Sequence, residues 1–456
     1  MSEKVVNVKE NKMGTMPVGK LLASMSVPMM ISMLVQAFYN VVDSVFVSQI
    51  SENALTAVSL AFPLQNLMIA CGAGTAVGIN AMLSKALGAK RQKEADRAAN
   101  VGIFLSLCCG VLFALIGIFL SKPFFMIQTD NTEIINYGTD YSSICLAFSF
   151  GIFCQFCFER LLQSTGRTIH ATITQLIGAV INIILDPILI FGYCGFPALG
   201  VKGAAVATVT GQIIAAIVAV IMNIKFNPDV HIKLREIRPH KQTVIGIYKV
   251  GFPSIVMQSI GSVMTFGLNN ILMGFGETAA AVFGAYFKLQ SFVFMPIFGL
   301  NNGMVPIIAY NYGAKNADRV KKTIRLTIVS AVCIMLTGLA VFELFPDVLL
   351  KFFNASEAML EIGVPALRII ALHFALAGFC IISGSVCQAI GNPFFSLITS
   401  VCRQLLVILP VAWALSKTGN LNMVWLAFPI AELFAVTLNI IFLKKTMKQA
   451  NRYMKQ

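Results

Sequence analysis

Charge is what this sequence lacks. Only 12% of its 456 residues are Asp, Glu, Lys or Arg, about half the share that keeps an ordinary soluble chain in solution. Histidine is scarce as well, with four in the chain, so no zinc-like spacing supported by histidines arises. The eleven cysteines fall mostly inside apolar runs, as Cys71, Cys145, Cys157 and Cys380 do. There a thiol acts as a small hydrophobe, and no disulfide framework emerges. A nucleophile–base pair or metal cluster is missing too, which argues against an enzyme. The stretch from Gly14 to Lys20 loosely resembles a phosphate loop. It lacks the following Ser or Thr, contains Pro17, and leads into an apolar run instead of following a strand. With no nucleotide site and no cofactor motif, the driving energy is expected from a gradient or from a partner outside the chain. Met1 to Lys20 is polar and basic without the short apolar core and cleavage site of a signal peptide, so the first apolar run is expected to stay as an uncleaved span.

Apolar residues fill the space that charge leaves. They make up 57% of the chain, and the mean hydropathy is +0.79. Such an outer surface needs a lipid solvent, in which a spanning helix takes roughly 20 residues. Runs of that length fall at 24–48, 55–83, 98–120, 138–162, 169–193 and 201–224, and again at 245–273, 278–308, 323–345, 362–388, 393–415 and 421–443. They are uniformly apolar, without the period-two alternation of a membrane barrel, so they read as helices. The expected fold is an all-α integral membrane protein of twelve spans in two six-helix lobes. The lobes run over residues 24–224 and 245–443, joined by a linker at 225–244 and flanked by tails at 1–23 and 444–456.

The net charge of +14 does not indicate nucleic acid, because Lys and Arg gather in short loops between the runs. Of the 34 basic residues, only Lys122, Lys202, Lys351 and Lys417 fall on one side. The other side holds both tails and the basic loops around Lys90, Arg160, Arg235 and Lys315. By the positive-inside rule both termini are expected in the cytoplasm, with the protein in the cell membrane.

A shift of 225 residues lays the second half on the first. Pro28 then meets Pro253, Leu64-Gln65 meets Leu289-Gln290, and Gly74 and Gly78 meet Gly299 and Gly303. Gly88-Ala89-Lys90 meets Gly313-Ala314-Lys315, and Gln163 and Gly166 meet Gln388 and Gly391. Agreement of small-residue and loop motifs over five helices means duplication. Six spans per half is an even number, so the halves share one orientation and are expected to be related by an axis along the membrane normal.

An ionisable side chain in hydrocarbon costs at least ~2.5 kcal/mol, so each deep one is a functional candidate. In the first span Gln36, Asn40 and Asp43 share a helix face beside Tyr39, and in the fifth Asn182 and Asp186 are four residues apart, with Gln175 two turns earlier. Thr208 and Gln212 repeat that spacing in the sixth. Convergence of these stripes would make a pocket of two carboxylates, an amide and a hydroxyl. Such a pocket suits a proton, since desolvation favours the neutral acid, and equally Na⁺, which prefers oxygen ligands. The amides alone also read as interhelical glue. The duplicated half puts Leu268 where Asp43 stands, so cation coupling is expected in the first half. Glu432 reads either as a second site or as an ion-pair partner of Arg403 or Arg368.

These landmarks carry a resemblance over essentially the whole chain. Pro28 with the Gln36-to-Asp43 face, Gly88-Ala89-Lys90 and its twin, Gln163-Ser164-Thr165-Gly166, Asn182-x-x-x-Asp186-Pro187 and Gly203-Ala204-Ala205-x-Ala207-Thr208 resemble the multidrug and toxic compound extrusion (MATE) transporters, of the bacterial multidrug efflux branch. The resemblance implies a V-shaped pair of lobes exporting cationic amphiphilic compounds against H⁺ or Na⁺ by alternating access. It maps the cation site onto Asp43, Asn182, Asp186 and Thr208, with Na⁺ a candidate at the first three, and links Glu159 to drug handling. Gln36, Tyr39, Asn40, Glu159, Gln163 and Gln290 are the candidate substrate contacts; the branch can carry Glu where this chain has Gln290. The partners expected are small cationic or amphiphilic molecules and the bilayer, with the chain a monomer. The alternative, a flippase of a lipid or lipid-linked precursor, calls for a cationic cavity, and only Lys288, Arg368 and Arg403 are available for one.

Overall fold

The computed structural model describes residues 11–352 and 355–455; Lys4 and Lys9 of the basic tail lie outside them. Twelve helical spans follow one another: α1 (Val18–Ser48), α2 (Glu52–Gly88), α3 (Gln92–Gln128), α4 (Thr132–Ala147 and Phe150–Ser164), α5 (Thr168–Phe191) and α6 (Val201–Phe226), then α7 (Lys241–Met273), α8 (Glu277–Gly313), α9 (Ala317–Leu344), α10 (Glu357–Ala371 and Phe374–Ile390), α11 (Pro393–Ser416) and α12 (Leu421–Lys455). Among the described residues there is no strand. Apolar side chains such as Phe119, Ile224 and Phe266 cover the outside, as a lipid-facing surface requires.

Several helices outrun the apolar stretches that mark them in the sequence. α3 starts at Gln92 and α12 continues to Lys455, because their basic ends leave hydrocarbon while remaining helical. Side-chain caps stop other ends: Ser51 Oγ accepts from Ala54 N at 3.0 Å, and Asn131 Oδ1 from Glu133 N at 3.0 Å, satisfying amides that lack an intrahelical partner. The linker is docked on α3, where Asp96 Oδ1 accepts from His231 N at 2.9 Å and Lys233 N donates to Asn100 Oδ1 at 3.0 Å.

The 225-residue repeat is written into the backbone. α4 bends by 44° at Phe148 and α10 by 46° at its counterpart His373. Gly166 and Gly391 both end their helices in the left-handed region, at φ 85° and 104°, and Lys90 and Lys315 share φ 56°. The halves meet where α1 lies along α8 and α2 lies along α7 and α8. Glycine makes this approach possible, and it does so reciprocally. A Cβ on Gly88 would sit 1.8 Å from the carbonyl oxygen of Tyr310, and one on Gly313 would sit 2.1 Å from that of Lys85; the same shift relates Lys85 to Tyr310. Gly74 faces Ile255 and Gly299 faces Met30 in the same swapped manner. In lipid, helices associate through such close van der Waals contact because no hydrophobic force draws them together.

One substitution with opposite outcomes tests the seam. Gly88→Ala forces backbone apart and should lower the thermal midpoint in detergent, at a cost of about 1–3 kcal/mol. Gly284→Ala, whose Cβ meets nothing within 4 Å, should leave the midpoint unchanged or raise it, by up to ~1 kcal/mol of helix propensity. Equal midpoints for both variants would contradict the close seam.

Candidate functional site

α1, α5 and α6 bring their polar stripes together inside the first half. Asp186 is fully buried, and the half-buried Asp43 carboxylate of α1 lies beside it, within hydrogen-bond reach. Asn182 Nδ2 reaches Asp186 Oδ1 at 3.4 Å and Thr208 Oγ1 at 3.3 Å. Asp43 Oδ1, Asn182 Oδ1 and Asp186 Oδ2 are buried without a hydrogen-bond partner, a rare condition for polar atoms away from water. Two carboxylates, an amide oxygen and a hydroxyl form the all-oxygen set that hard cations prefer.

A cavity of about 100 Å³ opens against this cluster. Gln36 and Tyr39 of α1, Gln155 of α4, Gln175 and Asn182 of α5 and Thr208 of α6 line it. Tyr39 and Gln36 are in hydrogen-bond reach of each other. Asn40 is exposed and absent from this wall; it stands about 100° round the helix from Tyr39, on the edge of the shared face away from the pocket.

Three other expected contacts lie elsewhere. Glu159 is 1% exposed and stands behind the wall, accepting from Gln155 Nε2 at 2.9 Å and Gln175 Nε2 at 2.7 Å. Gln175 in turn bonds Ser32 on α1, so amides tie α1, α4 and α5 around a buried acid. Gln163 is occupied with Arg160 Nη1 at 2.8 Å, and the same guanidinium nitrogen crosses to Asn302 Oδ1 on α8 at 3.0 Å. Gln290 is half-buried on α8 in the second half, away from this cavity. Sequence reasoning passed over Ser32 and Gln155 as parts of the site. The spacing of four between Gln155 and Glu159 was the available signal. It also passed over Tyr141, whose hydroxyl accepts from Gln65 Nε2 at 3.2 Å close to Asp43; nothing in the local pattern marks that residue.

The second half answers its buried acid differently. Arg403 Nη1 donates to Glu432 Oε2 at 3.0 Å, with Glu432 only 2% exposed, so of the two arginines Arg403 is the partner. Arg368 reaches Glu343 instead, at 3.9 Å between Nε and Oε2. Arg403 lies in a π-helical stretch of α11, Cys402–Ile408, and the 225-residue shift sets it on Gly178 of the first-half cavity. Around the pair, Phe283, Tyr286, Phe342, Trp425 and Phe428 pack into one core.

The family model described as MatE matches residues 28–188 and again residues 253–414, two stretches that begin 225 residues apart. Among curated relatives, the multidrug export protein MepA of Staphylococcus haemolyticus is 29% identical over 414 residues, covering 91% of this chain and 90% of that protein. MepA of Staphylococcus aureus strain MRSA252 is 27% identical over 418 residues, with 91% of each covered. Among solved structures, a multidrug resistance MATE family transporter of the MOP superfamily in its outward-facing conformation superposes at TM-score 0.92. It is 26% identical, with 97% of this chain and 99% of that one covered.

The ion pair gives a stability test. Arg403→Met strands a buried carboxylate and should cost about 3–5 kcal/mol, whereas Arg403→Met with Glu432→Met should recover most of that loss. Thermal melting of both variants in detergent measures it; a double variant no more stable than the single would refute the pairing account.

Proposed function

We propose that this chain, which belongs to the MatE family, is a secondary active multidrug exporter that trades a small cation for a cationic amphiphilic passenger. Membership makes it a multi-pass membrane transport protein and not an enzyme. The observation that carries the finer reading is the set of buried oxygens on Asp43, Asn182 and Asp186 without hydrogen-bond partners, beside a cavity.

The mechanism follows from charge. The neighbours of the two acids, Asn182, Thr208, Gln36 and Tyr39, are all neutral. An H⁺ or Na⁺ entering the cluster relieves the repulsion between the carboxylates and draws α1 onto α5 and α6. A cationic passenger in the adjoining cavity competes for the same negative charge, so cation and passenger favour opposite states, which is the differential affinity that antiport needs. Gln36, Tyr39, Gln155 and Gln175 supply the polar contacts to the passenger, and Glu159 holds Gln155 and Gln175 in place. Exchange of one cation for a singly charged passenger moves no net charge and is driven by the ion's concentration gradient alone; each further cation per cycle adds ~2.3 kcal/mol per 100 mV, a concentration ratio of tens-fold.

We read the end with the basic loops as cytoplasmic, with both termini there, by the positive-inside rule. In that orientation the contacts of Gly88 and Gly313 close the cytoplasmic end. The bacterial relatives suggest the plasma membrane as the location.

Transport in sealed vesicles tests this reading. A pH gradient and a Na⁺ gradient are imposed separately while a fluorescent cationic dye is followed. One gradient should drive dye movement in the native protein. Asp43→Asn and Asp186→Asn should each abolish it while eluting as folded protein in detergent. Full gradient-driven export by both variants would end the assignment of these acids, and dye flux indifferent to either gradient would end the antiport reading.

A further inference from the structure

The end carrying the Gly88–Lys90 and Gly313–Lys315 turns holds a second, larger concavity of about 420 Å³. Both halves build it: Lys85, Arg91 and Glu94 from α2 and α3 face Lys249 of α7, Tyr312 of α8 and Gln388 of α10. Its charge is unbalanced. Three cations line it against one carboxylate, and Glu94 Oε1 already accepts from Arg91 Nη1 at 3.0 Å. The charges nearest Lys85 are Arg91, Lys249 and Glu94, and its ammonium lies over the rings of Tyr312 and Tyr453, at 5.0 and 5.5 Å from their centroids. A shallower hollow of about 480 Å³ adjoins it, sharing Arg91 and adding Lys90 and Lys315. Lys315 also lies over Tyr453, at 5.6 Å.

Exposed basic residues on this side need no ligand to explain them, since the positive-inside rule accounts for their number. It does not account for their convergence on one concavity, with Lys85 half-buried at its wall and Arg91 and Lys249 at its exposed rim. Like charges there repel in a medium less polar than water, and a cleft lined by one sign focuses its field. Arginine offers a planar fork and lysine a compact point charge, the two groups that take phosphate oxygens. Basic pockets between spans on the cytoplasmic side suit anionic headgroups.

We infer that this basin binds a phosphate-bearing anion, either the headgroup of an anionic phospholipid or free phosphate, across the seam between the halves. The ligand touches Lys85 and Arg91 on one side and Lys249 on the other, so it binds when Gly88 and Gly313 are seated and holds that arrangement closed.

The full-length chain in non-ionic detergent provides the test, read as thermal midpoint during titration. One arm compares sodium phosphate with sodium chloride at matched ionic strength; the other compares added phosphatidylglycerol with phosphatidylcholine. The midpoint should rise with phosphate, with phosphatidylglycerol or with both. A response to phosphate alone identifies a soluble anion, a response to phosphatidylglycerol alone identifies a headgroup, and a response to both identifies the shared chemistry. In Lys85→Gln/Lys249→Gln the half-saturating concentration should increase at least ten-fold. Lys225→Gln/Lys321→Gln, with the same loss of charge outside the basin, should respond as the native chain does. If the double variant does not fold, Lys249→Gln alone, at an exposed position, is read in the same way. No rise above chloride and phosphatidylcholine, or a response that the basin variant keeps, overturns the proposal.

Discussion

Two carboxylates set side by side out of water are the constraint around which the first half is arranged. Two like charges about 4 Å apart repel by about 4 kcal/mol at an effective dielectric near 20, and the described neighbours, Asn182, Thr208, Gln36 and Tyr39, carry no charge to offset that. Asn182 and Thr208 orient Asp186 without neutralising it. The cluster therefore carries buried oxygens without partners, on Asp43, Asn182 and Asp186, and under the proposed function a mobile positive charge would complete it. The second half shows what a finished solution looks like. There Arg403 stands where the repeat places Gly178, its side chain reaches Glu432, and aromatic rings close over the pair. One repeated backbone thus leaves its buried acids without a cationic partner in one half and pairs its buried acid with Arg403 in the other.

A site of this kind works only if filling it changes how the lobes sit. The seam between them relies on fit: glycines at 74, 88, 299 and 313 against backbone or short side chains. The direct polar links across it are hydrogen bonds to neutral groups, among them Asn66 Nδ2 to Ser262 Oγ at 2.7 Å, Ser26 Oγ to the Leu300 carbonyl at 3.2 Å, Arg160 Nη1 to Asn302 Oδ1 at 3.0 Å and Arg319 Nη2 to the Met16 carbonyl at 2.7 Å. Shape-matched apolar surfaces can part without leaving many buried hydrogen-bonding groups unsatisfied. An interface laced with buried ion pairs would resist that motion.

Hydropathy made the twelve spans legible because lipid imposes one rule along their whole length, and the 225-residue repeat was legible because loops and small residues recur in order. The breaks in α4 and α10 were not legible: Phe148 and His373 are not helix breakers, and the bend depends on packing against neighbouring helices, as with Ser149 Oγ on the Gly110 carbonyl of α3. Within the site, Asp43, Asn182 and Asp186 stood out because charge in hydrocarbon is costly, and Thr208 because it shares a face with Gln212. Glu159 and Gln163 are ambiguous in the sequence for one reason. Polarity in a span says that a group needs a partner, and it does not say whether that partner is a passenger or a neighbouring amide. Gln155 and Ser32 were hidden by the same ambiguity read the other way.

The duplication separates what the fold must keep from what it can vary. Backbone features recur across the halves down to matched left-handed turns at Lys90 and Lys315 and equal bends in α4 and α10, since a pair of lobes rocking about a common axis needs matched geometry at its contacts. Side-chain chemistry at the centre carries no such requirement. A single exchangeable charge cluster suffices to bias a two-lobed body, because any strain raised in one lobe reaches the other through a seam that both must share. The Arg403–Glu432 pair is an instance of that freedom: at the position the repeat sets on Gly178, the second half holds an arginine that binds its own buried acid.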